Sequence, residues 1–144
     1  MAHFLSPLLR SGDAPWTLVH EETGRVLADR LHTAFDSASR RSGLLGQAAW
    51  PAGSALVIAP CQAVHTIGMR FPIDVMFVDR DGRIVKARRG LGPWRMAAAW
   101  RAFAAVELSV GSVTDGLRVG DRVRLALAPG SSLQQQASTV DNSG

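Results

Sequence analysis

Short apolar runs separated by turn residues recur along the chain, a pattern typical of a strand-rich protein. The clearest run spans residues 73–78, where Asp74 is the one charged residue in an otherwise apolar segment. The pair Asp81-Gly82 separates this run from residues 83–88, which predicts a β-hairpin. We predict further strands at residues 17–20, 25–31, 55–59, 103–110 and 122–128.

Helical spacing is clearest in residues 33–45. Four residues of this segment fall on one stripe, namely Phe35, Ala38, Ser42 and Leu45. Thr33 and Asp36 suit the start of a helix, and Gly43 and Gly46 supply stop signals. We therefore predict one main helix in this segment.

Together these elements predict a single β-rich α+β domain at residues 16–128. We expect about seven short, mostly antiparallel strands in a sandwich or partly closed barrel, with one main helix. Residues 112–117 fit one further helical turn, and residues 97–102 fit either a helix or a loop. We expect an irregular arm at 1–15 and a disordered tail at 129–144, because the tail has few large apolar residues to offset its ordering entropy.

Composition fits a globular domain, because 47% of the 144 residues are apolar and 19% are charged. The single cysteine, Cys61, excludes an intramolecular disulfide and favours a reducing compartment. No apolar run is long enough for a transmembrane helix, and the N-terminal residues lack the pattern of a secretory signal. We therefore expect a cytoplasmic protein without a membrane partner, either a monomer or a weak homodimer.

The charge balance is basic, with 16 Lys and Arg against 12 Asp and Glu. All of the basic residues except Lys86 are arginine, and they are scattered along the chain. We therefore do not expect nucleic acid as the main partner, despite the net charge of +4. The motifs of P-loop nucleotide hydrolases, Rossmann dehydrogenases and α/β-hydrolases are missing from the sequence, which disfavours those classes.

The polar pattern of residues 61–79 is the most informative part of the chain. Cys61 is followed by Val-His-Thr, then by Met-Arg-Phe-Pro-Ile-Asp, and then by an apolar strand that ends in Asp79. This order resembles the signature of domain-of-unknown-function family 192. Weaker likenesses to the same family follow its order at residues 41–45, 106–111 and 119–123.

The resemblance covers about residues 25–127 and implies a compact, β-rich α+β domain. One departure is Ser109, where many members carry proline, and it should alter only a local turn. The family has no agreed activity, so the resemblance implies no catalytic residue. The matched polar positions mark a candidate ligand-binding site, formed by Cys61, His65, Thr66, Met69, Arg70, Asp74 and Glu107.

Asp74 is the first candidate, because both faces of its strand are largely apolar. A carboxyl group in such a place must be paired, hydrogen-bonded or protonated. One interpretation is a general base or a ligand anchor. The other is a structural carboxylate that holds backbone N–H groups or Arg70.

Cys61 and His65 suit a nucleophile pair only if their side chains lie within hydrogen-bonding distance. The alternative is a buried, inert cysteine. With Met69 and Met76 they form a set of soft ligands suited to copper(I), although methionines beside strands usually fill gaps in the core. We expect no metal and no cofactor.

Glu107 alternates with Val106 and Leu108, which predicts a solvated strand residue. The alternative is a pocket carboxyl group that faces His65 or Arg70. If it lay beside Asp74, the pair could share a proton and support acid–base chemistry.

The densest basic region is residues 83–101, with Trp94 and Trp100 interleaved. One interpretation is an anion or nucleic-acid site that includes Lys86, Arg88 and Arg89. The other is an exposed hairpin kept soluble by its charge. All four tryptophans are expected to be core or rim anchors rather than platforms for bases.

Three functions follow from these candidates. The first is a non-enzymatic accessory domain that binds a small ligand or a protein, with a polar pocket around His65, Arg70 and Asp74. The second is a small hydrolase or isomerase that uses Asp74 and His65. The third is anion or nucleic-acid binding through the basic region.

Overall fold

The computed structural model describes residues 3–10 and 15–128, apart from the side chain of Arg10. The helices are α1 (Ser6–Arg10) and α2 (Ser37–Ser42). The first strands are β1 (Trp16–His20), β2 (Val26–Ala28), β3 (Arg30–Ala34), β4 (Ser54–Ile58) and β5 (Ala63–His65). The later strands are β6 (Ile73–Val78), β7 (Ile84–Leu91), β8 (Met96–Ala98), β9 (Ala104–Leu108) and β10 (Val123–Leu127).

A five-stranded sheet in the order β3-β4-β9-β6-β7 forms the centre of the domain. Strands β3 and β4 are parallel, and the other neighbours are antiparallel. All five residues of β9 are buried, since the strand lies between β4 and β6. In register, Glu107 lies opposite Val75, and Leu108 lies opposite Asp74.

Both faces of the central sheet are covered by apolar side chains. On one face, Met76 and Leu108 pack with Leu18 of the three-stranded sheet β10-β1-β2, in what we call the Leu18 core. On the other face, Val75 packs with Val64 of the two-stranded sheet β5-β8, in what we call the Val64 core. The predicted β-rich α+β class is confirmed, as a mostly antiparallel, sandwich-like domain whose sheets do not close into a barrel.

The predicted helix at residues 33–45 is wrong at both ends. Thr33 belongs to β3, whose parallel pairing with β4 takes priority over the helical pattern. The helix is α2 alone, and the side chain of Asp36 caps it by accepting a hydrogen bond from Ser39 N at 2.8 Å. No residue of α2 is buried, so Ala38 and Ser42 of the predicted stripe do not enter a core, whereas Phe35, which precedes the helix, packs against the Leu18 core.

Three other predictions about secondary structure also need correction. The arm was expected to be irregular, but α1 lies within it, and Leu5 and Leu8 are buried in the Leu18 core. Residues 112–117 form turns rather than a helix. The segment 97–102, expected to be a helix or a loop, begins as a strand, because its first two residues belong to β8, which pairs with β5. The predicted tail at 129–144 lies outside the described residues.

Neither helix in the described ranges approaches the length of a membrane-spanning segment, since α1 has 5 residues and α2 has 6. The expected cytoplasmic location stays a prediction.

The carboxylate of Asp74 ties three segments of backbone together on the Leu18 side of the sheet. Its Oδ1 accepts a hydrogen bond from Gly90 N at 2.8 Å. Its Oδ2 accepts from Gly111 N and Val113 N, both at 3.0 Å. The side chain is 1% exposed, so these bonds replace its lost hydration. Asp74 thus joins β6 to the end of β7 and to the turn after β9, as the structural interpretation expected.

Replacing Asp74 with alanine should lower the free energy of unfolding by about 2–4 kcal/mol, since three N–H groups lose a charged acceptor. Urea unfolding followed by circular dichroism measures this loss. Asp115→Ala is the control, because Asp115 is exposed and, within the described ranges, pairs only with Arg89 at the surface. We expect about 0.5 kcal/mol or less for that control. Equal losses in the two variants would contradict the role of Asp74.

Candidate functional site

A narrow cleft lies between the end of α2, the start of β5 and the central sheet. Its volume is about 40 Å³, enough for a small polar group or one or two water molecules. Its lining combines residues of α2 and its C-terminal side with residues of β4, β5 and their neighbours. The lining residues used below are Arg40, Arg41, Gly43, Ile58, Cys61, Ala63, His65, Met69 and Glu107. We call this space the Glu107 cleft.

A wider cavity of about 410 Å³ adjoins the Glu107 cleft. The two spaces share Arg40, Arg41, Ile58, Cys61 and Ala63 in their linings. We call this second space the outer cavity. A larger open cavity of about 580 Å³ lies near residues 101–103, and its lining includes Cys61 and Arg101, the last residue of the basic region.

Glu107 is buried in the Val64 side of the sheet, not solvated as its strand pattern predicted. The pattern misleads because both faces of β9 are covered, so the polar position of the alternation also points into an interior. Glu107 lies between Leu56 and Val75 in register, and it is 3% exposed. No described residue donates a hydrogen bond to its carboxyl group, and Oε2 is fully buried.

The backbone at the end of α2 closes the cleft over this carboxyl group. Gly43 follows the helix with a φ of 49°, in the left-handed region that favours glycine. A Cβ atom at Gly43 would lie 4.0 Å from Glu107 Oε2. On the other side, Trp50 Nε1 donates to the backbone oxygen of Glu107 at 3.3 Å. The carboxyl group is therefore enclosed without being hydrogen-bonded.

Burial raises the pKa of Glu107 from 4.5 to about 7. Loss of hydration is the cause, because the charged form is disfavoured in an apolar environment. Arg40 lines the cleft, but its Nη1 donates to Phe35 O at 2.6 Å. Near neutral pH the group is therefore present in both protonated and ionised forms. Strongly perturbed carboxyl groups in clefts are candidates for functional residues.

Cys61 and His65 both line the Glu107 cleft, but they do not form a nucleophile pair in the described structure. The Cys61 thiol donates to Ala63 O at 3.1 Å. Burial raises the pKa of Cys61, and the nearby Glu107 charge adds to this effect. The thiol therefore stays protonated at neutral pH, which disfavours nucleophilic chemistry.

The possible set of copper ligands is divided between the two faces of the sheet. Met69 is buried beside Cys61 and His65 in the lining of the cleft. Met76 belongs to the Leu18 core on the other face. The four side chains therefore cannot meet at one ion.

Thr66 and Arg70 do not line the cleft. Thr66 is buried, and its Oγ1 donates to Gly92 O at 2.6 Å and accepts from Arg95 N at 2.9 Å. These bonds tie the segment after β5 to the loop before β8. Arg70 is exposed and makes no hydrogen bond or ion pair with the described residues.

Asp74 also lies away from the cleft. Successive residues of a strand point to opposite faces, so Asp74 faces the Leu18 core while its neighbour Val75 shares a face with Glu107. Asp74 and Glu107 cannot share a proton, and Asp74 and His65 do not open into one concave site.

The basic residues of β7 have separate surroundings. Lys86 Nζ donates to Ala98 O at 2.8 Å, and Arg89 pairs with Asp115 at 2.6 Å. Arg88 is exposed. The expectation that Trp94 and Trp100 are anchors is wrong, since their side chains are 65% and 78% exposed.

A second polar cluster was missed by the sequence analysis because its members are about a hundred residues apart. His20 is buried, and its Nε2 lies 2.7 Å from Asp121 Oδ2 and 3.3 Å from Glu22 Oε2. Its Nδ1 lies 2.7 Å from Thr23 Oγ1. Both ring nitrogens are therefore partnered, and the cluster fastens the β1–β2 turn to the segment that precedes β10.

The pKa of Glu107 predicts a stability that falls with rising pH. An unfolded chain loses this proton near pH 4.5, whereas the folded protein keeps it until about pH 7. Between these values the folded state binds more protons, so the free energy of unfolding decreases as the pH increases. The gap between the two pKa values corresponds to about 3 kcal/mol.

Glu107→Gln should remove this dependence, because the amide does not titrate. Relative to the variant, the wild type should lose up to about 3 kcal/mol between pH 4.5 and pH 7 in urea unfolding. Glu21→Gln, which removes an exposed carboxyl group, should follow the wild type instead. Parallel pH profiles for the wild type and Glu107→Gln would show that Glu107 is not perturbed.

Two solved bacterial proteins resemble the fold. One, from Sinorhizobium meliloti 1021, is described as a "putative transcription regulator"; its TM-score is 0.65 at 20% identity, over 76% of this chain and 90% of that one. The other, from Novosphingobium aromaticivorans DSM 12444, is described as a protein of unknown function; its TM-score is 0.63 at 22% identity, over 76% and 83% of the two chains. At these identities the likeness shows the fold alone.

A comparison with curated proteins finds none that matches this chain. The profile of the family DUF192, described as "Uncharacterized ACR", matches residues 18–125. This span includes β3, α2 and every strand that lines the Glu107 cleft. The resemblance seen in the sequence is therefore confirmed, and the chain belongs to domain-of-unknown-function family 192.

Proposed function

We propose that this protein is a non-enzymatic binding domain whose ligand enters the Glu107 cleft. The unpartnered, buried carboxyl group of Glu107 carries this proposal. A buried polar group without a partner costs roughly 1–3 kcal/mol, and more when it is charged. A ligand that hydrogen-bonds to this group would recover part of that cost.

The shape of the site favours a small hydrogen-bond donor at its inner end. The Glu107 cleft has room for a hydroxyl or amino group but not for a ring, since its volume is about 40 Å³. The outer cavity can hold the rest of the ligand beside Arg41, which is exposed and has no ion pair with any described residue. A small polar molecule with a hydroxyl or amino group at one end and a polar or anionic group at the other suits both parts.

The positions of the candidate residues favour a binding role over a hydrolase or isomerase that uses Asp74 and His65. Asp74 is occupied by three backbone N–H groups on the far face of the sheet. The Cys61 thiol stays protonated and donates a hydrogen bond to the backbone oxygen of Ala63. His65 alone remains beside the cleft, which is insufficient for the proposed hydrolase or isomerase.

A second candidate is acid–base catalysis in which Glu107 replaces Asp74. A single observation favours it, since a pKa of about 7 suits a group that both accepts and donates a proton near neutral pH. The same cleft would then convert its ligand, as in an isomerase, instead of only holding it.

A thermal-shift screen with small polyols, sugars, amines and amino acids tests the proposal. Binding to the native state raises the melting temperature, by an amount equivalent to about 2.7 kcal/mol at a concentration of 100 Kd. We expect at least one class of compound to stabilise the wild type. The shift should disappear in Ala63→Phe, whose side chain would obstruct the cleft, and should change in Glu107→Gln.

Ala98→Phe is the matched control, because Ala98 is the exposed partner of Ala63 in the β5–β8 register and does not line the cleft. It should keep the shift. A hit that survives both Ala63→Phe and Glu107→Gln would contradict binding at this site. Incubation of a hit with the protein, followed by NMR, separates the two functions: an unchanged compound supports binding, and a converted one supports catalysis.

A further inference from the structure

The outward face of β8 and the turns beside it carry an apolar strip whose residues do not line the Glu107 cleft. Ala97 points into the Val64 core, so its neighbours on the strand point outward. Met96 is 65% exposed, and the turns that flank β8 carry two further exposed aromatic residues, Trp94 and Trp100. We call Trp94, Met96, Ala98 and Trp100 the ribbon strip.

The backbone fixes one end of the ribbon strip in an unusual conformation. Trp94 has a φ of 60°, the only described non-glycine residue with a positive φ. Such a conformation is unfavourable for a residue with a side chain and persists where the surroundings enforce it. Trp94 N donates to Thr66 O at 3.0 Å, and the adjacent Arg95 N donates to Thr66 Oγ1. The fold thus fixes the backbone that carries the exposed indole ring of Trp94.

The surroundings of the ribbon strip are basic. Residues 83–103 contain six Lys and Arg and no Asp or Glu. Lys86 and Arg88 lie opposite Phe77 and Val75 in register, on the sheet face that β5 and β8 cover. Lys86 reaches Ala98 of the strip directly. Lys86 therefore lies beside the strip, and Arg88 lies on the same face of the central sheet.

At the other end of the ribbon strip, Arg101 and Trp100 stack. The guanidinium carbon of Arg101 lies 5.3 Å from the centre of the indole ring of Trp100. Asp79 and Asp81 line a cavity with Arg101, but the Asp79 carboxylate accepts from the backbone of its own turn. The positive charge of Arg101 and the exposed ring of Trp100 therefore lie side by side at the surface.

We infer that the ribbon strip binds single-stranded nucleic acid. Bases stack on exposed aromatic rings, and arginine and lysine side chains meet the phosphates, without any need for sequence-specific hydrogen bonds. The Cα atoms of Trp94 and Trp100 are at most about 22 Å apart, since they are six positions apart in the chain, and this span suits several nucleotides. A second copy of this chain is disfavoured, because two basic surfaces would repel each other.

Fluorescence titration of the full chain with dT and U oligonucleotides of about 12 nucleotides tests the inference. Stacking should quench tryptophan fluorescence at low salt, and the affinity should fall as salt increases. Parallel titrations with the two oligonucleotides show whether DNA or RNA is preferred. Trp100→Ala and Trp94→Gly should each weaken binding by about 5-fold or more. Glycine suits the left-handed backbone at position 94, so that variant should remain folded.

Two matched controls separate the ribbon strip from general effects. Val119→Ala changes an exposed apolar residue elsewhere and should leave the affinity unchanged. Arg124→Gln and Arg101→Gln alter the net charge equally, but only Arg101→Gln should weaken binding markedly. The inference is overturned if no quenching occurs at low salt, or if the controls and the strip variants lose affinity equally. Tighter binding to vesicles of phosphatidylglycerol than to either oligonucleotide would also overturn it.

Discussion

The alternation of side chains across a sheet that is covered on both faces governs the chemistry of this domain. Asp74 and Glu107 lie on neighbouring strands one register position apart. They nevertheless enter different interiors, because adjacent positions along a strand point to opposite faces. The two carboxyl groups therefore have different fates, one fully hydrogen-bonded and the other without any hydrogen bond.

This contrast separates stability from function. Asp74 receives three backbone N–H groups and joins β6 to the segments around it, which is the ordinary solution for a buried charge. Glu107 has the same chemical group in an equally buried position and no such solution. Burial without a partner lowers the stability of the domain. The backbone of Gly43 encloses the carboxyl group without donating a hydrogen bond to it. Sites that depart from local rules in this way are where function is expected.

Much of the fold could be predicted from the sequence. The strand at residues 73–78 agrees with β6 because its apolar run is bounded on both sides by turn residues. The helix was overestimated, since the pairing of Thr33 with Val57 is a long-range contact that no local pattern reveals. The segment with three alanines fits a helix or a loop by its local pattern, because no local signal reveals the long-range pairing of β8 with β5.

Four residues that the sequence marks as candidates, Cys61, His65, Met69 and Glu107, line one cleft, while their binding role stays a prediction. The role of Glu107 was missed because alternation alone does not tell whether the polar face of a strand meets water or a second layer. The end of α2 lines the cleft, and the only sequence signal for this is the family-like element at residues 41–45. That element gives no chemical reason to expect a site there. The exposure of Trp94 and Trp100 was also missed, because large aromatic residues are usually buried.

The central claim is that Glu107 is a buried carboxyl group that no protein group stabilises. Its most direct test is a ¹³C NMR titration of the side-chain carboxyl carbon in protein without ligand, assigned by comparison with Glu107→Gln. The midpoint should lie at about 7. A midpoint at 4.5 or below would mean that the carboxyl group is solvated or paired, and the cleft would then lose the property that marks it as a binding site.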